Sequence, residues 1–314
     1  MLTTERWIFR AMQRSLHWMR PVMVMILLVA NLATVALADA APAAQDPQPS
    51  FPIRAAFYYP WFPQAWDQQG FDPFTNYTPS SGFYGSGLNM TKRHIAAMQY
   101  GGIEAGIASW WGQGSRTDLR IARLLEAAAG TSFRWSIYYE NETKGDPSVD
   151  QLRSDLTYIR DKYGNDPSFL RVNGKFVVFV YADGNDACGM VDRWKQANTV
   201  RAYIVLKVFP GYRDCLRQPN SWHQYSPAVA ADHQEGYSYA ISPGFWKKGD
   251  AVLLARDLAR WRLNVRRMVT SRARWQLITT FNEWGEGTAV ESAREWQSSS
   301  GYGAYLDILH TNGK

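Results

Sequence analysis

The chain has 314 residues, 34 Lys and Arg against 28 Asp and Glu, 46% hydrophobic and 14% aromatic residues, and 14 tryptophans. The formal charge of +6 is spread among acids rather than gathered in a basic stripe, which argues against a nucleic-acid partner. The composition excludes a disordered chain, a collagen and a disulfide scaffold, and the length allows one large domain or two smaller ones.

Residues 1–38 read as an export signal. Arg6, Arg10, Arg14 and Arg20 stand against Glu5, so this segment holds half of the excess charge and residues 39–314 keep only +3. The apolar run Val22–Leu37 follows, and Ala36-Leu37-Ala38 supplies the small residues that signal peptidase accepts. An uncleaved anchor is the alternative, because the run sits at the lower edge of spanning length. Residues 39–50, rich in Ala, Pro and Gln, read as a disordered spacer. Residues 51–314 then form one domain, secreted to the periplasm or beyond, with membrane contact only if the leader stays.

From residue 51, strand and helix patterns alternate. Ile53–Tyr59 is the first strand, and Asn89–Tyr100 the first helix, stopped by Gly101-Gly102. Glu104–Trp110 is the second strand. Arg116–Ala129 is an amphipathic helix, with Leu119, Ala122, Leu125 and Ala129 on its apolar face. Phe133–Tyr139 and Phe176–Tyr181 are the third and fourth strands, the latter an apolar run suited to burial on both faces. The helix Ser148–Tyr163 lies between them, and a further helix, Ala187–Asn198, precedes strand five, Ala202–Val208. The pattern weakens at strands six and seven, Trp222–Tyr225 and Tyr237–Ile241. Lys248–Arg267 is a helix, Gln276–Phe281 the eighth strand, and Gly303–Leu309 part of a last helix. This repetition predicts an α/β fold, a single (β/α)8 TIM barrel. An open doubly wound sheet is disfavoured, because no glycine-rich phosphate loop follows any strand.

Functional groups of a barrel gather where strands end at its C-terminal face. Those positions hold Tyr58-Tyr59-Pro60-Trp61-Phe62, Trp110-Trp111, Tyr138-Tyr139-Glu140, Tyr181-Ala182-Asp183 and Phe281-Asn282-Glu283-Trp284-Gly285-Glu286-Gly287. Flat aromatic faces stack on sugars, and carboxylates serve as acid and base at a glycosidic oxygen. Trp110 is assigned to the core by its alternation with Trp111. Trp61 and Trp111 stay open between core and rim, and Glu140 and Asp183 between a site role and helix capping. Glu291 and Glu295 read as surface or helix-start residues, and His94 as a helix-surface residue. His223 and His233 could approach the rim.

No set of ligands at metal spacing occurs and no metal is expected. No G-x-S-x-G elbow or nucleotide motif points to a serine hydrolase or a redox cofactor. Cys188 and Cys215 are expected to be bridged in an oxidising compartment.

The motifs Tyr58-Tyr59-Pro60-Trp61, Trp110-Trp111 and Phe281-Asn282-Glu283-Trp284-Gly285-Glu286-Gly287-Thr288 resemble those of glycoside hydrolase family 99 and its looser relatives. That family includes endo-α-mannosidases and endo-α-mannanases on a (β/α)8 barrel. The resemblance implies a carbohydrate substrate, no cofactor and a monomeric enzyme. The family's two catalytic carboxylates, in a Glu-Trp-x-Glu motif, fall on Glu283 and Glu286. Glu283 would take the proton from the substrate 2-hydroxyl, which attacks the anomeric carbon to give a 1,2-anhydro sugar. Glu286 would protonate the leaving oxygen and then activate water, with overall retention. Tyr59, Trp61, Trp111, Tyr139, Glu140, Asp183, Tyr225, Trp246, Asn282 and Trp284 are the expected substrate contacts, and Tyr237 and Tyr239 are further aromatics near the rim. Where the family motif carries histidine between Trp and the second Glu, this chain has Gly285. That departure bears on substrate more than on reaction class.

Overall fold

The computed structural model describes residues 47–314, so the leader and most of the spacer lie outside the described residues. Of the spacer, Gln48 accepts a hydrogen bond from the Arg171 backbone at 2.8 Å and donates one to the Pro167 carbonyl at 3.1 Å. Among the described residues no helix is long and apolar enough to cross a membrane.

Eight parallel strands build the barrel: β1 Ile53–Tyr58, β2 Ala105–Trp110, β3 Arg134–Tyr139, β4 Lys175–Val180, β5 Tyr203–Lys207, β6 Ser221–His223, β7 Ser238–Ile241 and β8 Trp275–Ile278. They pair in chain order from β1 to β6, and β8 closes against β1 on one side and β7 on the other. No strand ladder joins β6 to β7. Instead the strand Ala231–Gln234 pairs antiparallel with β7 at that seam. The short strand Arg171–Val172 pairs antiparallel with β4. The expected (β/α)8 architecture is therefore present, with its irregularity where the sequence pattern weakens.

Side chains alternate along each strand, and this sorts the core into two layers. Ile53, Ala55, Phe57, Ile107, Tyr138, Phe179, Val205, Trp275 and Leu277 fill the barrel interior. Ala56, Tyr58, Trp110, Trp135, Ile137 and Tyr139 face outward, into the layer shared with the helices. Trp135 fits there because its partner across the ladder is Gly106, where a Cβ would lie 2.1 Å from the indole.

The surrounding helices are α1 Leu88–Tyr100, α2 Asp118–Ala128, α3 Val149–Ile159, α4 Cys188–Ala197, α5 Leu258–Ser271 and α6 Ala304–His310. Ser148 caps α3 by accepting from the Gln151 backbone, and Asp257 caps α5 by accepting from Arg260. Two expectations are corrected. The fifth helix begins ten residues later than Lys248, because Phe245 bridges Leu254 and Asp257 supplies the cap. On α2 the apolar face is Ile121, Leu124, Leu125 and Ala128, whereas Leu119 is 69% exposed. The i, i+3, i+4, i+7 stripe thus starts two residues later than expected. Cys188 and Cys215 form a disulfide joining the first residue of α4 to the segment after β5.

Candidate active site

The loop after β8 is fastened at many points before its carboxylates are reached. The Phe281 backbone donates to Phe57, Thr280 and Thr288 pair through backbone and hydroxyls, and Glu283 donates its N–H to the Thr280 hydroxyl at 2.8 Å. Backbone N–H groups of Trp246 and Lys248 donate to the carbonyls of Glu286 and Gly285, both at 2.9 Å. Asn282 is fully buried and ties this loop to β1, accepting from the Tyr59 N–H at 2.8 Å and donating to the Tyr59 carbonyl at 3.1 Å. Both ends of its amide are engaged by the Tyr59 backbone.

Glu283 and Glu286 line a cavity of about 180 Å³ at the barrel mouth, together with Tyr59, Trp61, Phe74, Tyr225 and Lys247. The Tyr59 hydroxyl donates to that of Tyr225 at 2.8 Å, and Tyr225 lies 3.4 Å from Glu286 Oε2. Burial raises the proton affinity of Glu283 well above the usual carboxylate range, and the nearby charges of Glu286 and Glu140 push the same way. Burial also raises Glu286, opposed by the Tyr225 hydroxyl and the Lys247 ammonium. Glu140, at the end of β3, is buried and lifted to about 8 by desolvation, with the Ser109 hydroxyl opposing. One oxygen each of Glu283 and Glu140 is buried without a hydrogen-bond partner. Glu140 does not line the cavity but is close enough for its charge to act on Glu283, and buried carboxyls with raised proton affinity are suited to proton transfer.

A second layer lies behind the loop. Trp284 is fully buried, and its indole N–H points at the Tyr84 hydroxyl, 3.1 Å away, and at Glu291 Oε2, 3.2 Å away. Tyr84 donates to the same Glu291 oxygen at 2.5 Å, and His94 Nε2 stands 3.2 Å from the other. His94 Nδ1 pairs with the Tyr58 hydroxyl at 3.0 Å.

Several expectations change on this geometry. Trp284 is a buried strut, stacked near Trp296, and not a rim platform. Tyr139 is also buried, facing the helices with its hydroxyl on Asp155 at 2.8 Å. Glu291 and His94 are not surface residues; they are 4% and 3% exposed and face each other. Trp246 meets the motif through its backbone, while its ring packs near Tyr77 and its indole N–H donates to Asp250. Asp183 accepts from the Asn185 backbone in the loop after β4 and is not a wall of the cavity. Tyr59, Trp61 and Tyr225 do meet the two glutamates there, and Trp111 lines the adjoining groove.

The sequence reading missed Phe74 and Lys247. Lys247 could have been found beside Trp246, but Phe74 sits in an aromatic loop with no periodicity to mark it. His223 is buried in the barrel, 3.4 Å from the Tyr138 hydroxyl, and is kept neutral by burial and by the Lys207 charge. His233 is exposed beside Tyr239. Among the described residues one acidic cluster, Glu142, Asp146 and Asp186, brings ligand atoms within 4.8 Å of one another. Arg193 already bonds two of its members.

Residues 54–202 match the family model described as Glycosyl hydrolase family 99, a stretch running from β1 to the approach of β5. Two solved structures of the GH99 endo-α-mannosidase from Bacteroides thetaiotaomicron share the fold. One, in complex with BIS-TRIS-propane, aligns with TM-score 0.64 and 20% identity over 84% of this chain and 96% of its own. The other aligns with TM-score 0.63 and 18% identity over the same shares. No protein of curated function matches.

Proposed function

We propose that this chain, whose residues 54–202 match the model of glycosyl hydrolase family 99, is an exported, endo-acting, retaining glycoside hydrolase that cleaves α-mannosidic linkages with Glu283 and Glu286 as its catalytic pair, one base and one acid. The observation that carries the reading is the meeting of both glutamates, each with raised proton affinity, in one small cavity walled by Tyr59, Trp61 and Tyr225. Export rests on the leader at residues 1–38.

In this mechanism one carboxylate removes the 2-hydroxyl proton, and the freed oxygen attacks the anomeric carbon. The other carboxylic acid gives its proton to the departing glycosidic oxygen, leaving a 1,2-anhydro sugar. Water, deprotonated by that second group, then opens the ring at the anomeric carbon, and the 2-oxygen recovers its proton from the first. Two inversions give retention. A shared proton suits this exchange, because the reaction shuttles one proton equivalent between two groups whose affinities are coupled. The resemblance makes Glu283 the base. In the site as described, Tyr225 and Lys247 support the charge of Glu286, whereas the charges of Glu286 and Glu140 oppose that of Glu283. The order of roles is therefore decided by kinetics.

Product analysis on defined α-mannan fragments tests the reaction, its linkage and its endo action together. Glu283→Gln and Glu286→Gln should each lower kcat by two or more orders of magnitude. An aryl glycoside with a good leaving group should restore the first step only in the variant lacking the acid. Turnover of other α-glycans but not mannan would move the substrate. Near-normal activity in both variants would refute the pair, and tight binding without turnover by the unaltered protein would mark a glycan-binding barrel.

A further inference from the structure

Beside the catalytic cavity lies a larger groove of about 420 Å³, walled by Trp61, Gln64, Gln68, Trp111, Arg116 and Arg120. Trp61 and Gln68 belong to both spaces, so the groove continues from the site that holds Glu283 and Glu286. Its charge is one-sided. No carboxylate lines it.

Among the described residues neither Arg116 nor Arg120 has an acidic partner of the kind some arginines of this chain take. Arg193 is paired with Glu142 and Asp146, and Arg217 with Asp192. Arg120, by contrast, is spent on neutral acceptors, the Pro60 carbonyl and Gln64 Oε1. Burial, and after it the like-signed charges of Arg116 and Arg123, lower its proton affinity. Arg116 is exposed, and among the described residues it makes no hydrogen bond or ion pair. Lys144 adds a third cation, its ammonium 4.7 Å from the centroid of the Trp111 ring.

Like charges held together without counter-charge cost free energy, and a bound anion recovers it. Guanidinium groups match carboxylate, sulfate and phosphate oxygens in a two-pronged geometry, and tryptophans beside them offer flat faces to sugar rings. We propose that the Trp61–Trp111 groove is a subsite for an anionic sugar of the glycan, a uronic acid or a sulfated or phosphorylated residue, engaged by Arg116 within the positive field of Arg120 and Lys144. The inference rests on the glycoside hydrolase reading of the adjoining cavity and narrows its substrate to a charged glycan.

The test uses the full chain with matched ligands: an α-mannotriose, its 6-O-phosphate, its 6-O-sulfate and its uronic acid counterpart, titrated calorimetrically at low and high salt. A charged member should bind at least about tenfold more tightly than the neutral one at low salt, and the gap should shrink as salt rises. Which member gains most separates carboxylate from ester. In Arg116→Gln the charged-to-neutral affinity ratio should fall by about tenfold, and Arg116→Lys should keep part of it. The position is exposed, so an unchanged melting curve certifies the fold of each variant. Equal affinity for charged and neutral ligands, or an excess that survives Arg116→Gln, overturns the subsite. Cleavage of neutral mannan with no charged preference sinks the subsite and leaves the enzyme reading standing. Arg116-dependent binding of a charged sugar without cleavage of any glycan does the reverse.

Discussion

Gly285 carries its backbone against the ring of Phe74, so that a Cβ at position 285 would lie 2.4 Å from Phe74 Cε1 and 3.1 Å from Glu283 Oε1. The departure from the family's histidine thus has a structural counterpart: the aromatic ring of the β1–α1 loop occupies the space that any side chain at 285 would need. Gly285→Ala should force Phe74 aside and shift Glu283, lowering kcat/KM by about a hundredfold, as small misplacements of reacting groups do. Gly285→Ala combined with Phe74→Ala should recover part of that loss, because the clash is removed. Strictly additive effects in the double-mutant cycle would show that the contact does not govern the site.

Glu291 holds the loop from below. Its carboxylate receives the Tyr84 hydroxyl and the Trp284 indole N–H, and faces His94 across 3.2 Å. Glu291→Ala leaves these buried groups without their partner and should destabilise the protein by about 3–5 kcal/mol. Glu291→Gln keeps the shape and should cost less. Because Trp284 lies between the two candidate catalytic glutamates, activity of the Gln variant should fall mainly in kcat, with KM little changed. Denaturant titration and steady-state kinetics check the two parts separately.

The disulfide should be separable from catalysis. Cys188 and Cys215 lie 27 residues apart and clip the start of α4 to the segment after β5. Closing a loop of that length is worth about 3.5 kcal/mol. Replacing both cysteines by serine should lower the denaturation midpoint accordingly, whereas kcat on the best glycan should stay within about twofold, since neither residue touches the cavity.

The barrel was legible because strand and helix patterns differ in period, and strand parity also foretold part of the site. Trp110 and Tyr139 are register partners on the outward face, so the alternation that sends Trp110 into the core sends Tyr139 there too. Following it would have moved attention to Tyr138 and Glu140. Trp284 and Glu291 were not legible. They lie on irregular backbone after β8, where no period applies, and their burial depends on Tyr84 and His94 from distant segments. The β6–β7 seam was blurred because those strands are short and a hairpin strand replaces the usual helix there.

Glu140 ties stability to pH in a direction opposite to that of an ordinary salt-bridged carboxylate. Burial lifts it from 4.5 to about 8 in the folded chain. The folded state therefore holds a proton that the unfolded chain releases near its ordinary value. Its contribution is intact at low pH and is lost as pH rises from about 4.5 through 8, because over that window the folded state binds more protons. Burial pulls His223 down to about 3, which acts with the opposite sign between that value and 6.5, and burial lifts Glu142 to about 7 and also raises Glu283 and Glu286, so a single pH scan of the unaltered protein mixes several groups. Glu140→Gln isolates one, since the amide imitates the protonated acid at every pH. At pH 5 the variant and the parent should melt at nearly the same temperature. At pH 8.5 the variant should be the more stable, by on the order of 2 kcal/mol and at most about 5. A stability difference that does not grow with pH would show that Glu140 is solvated or charge-compensated, and the action of its charge on Glu283 would fall with it.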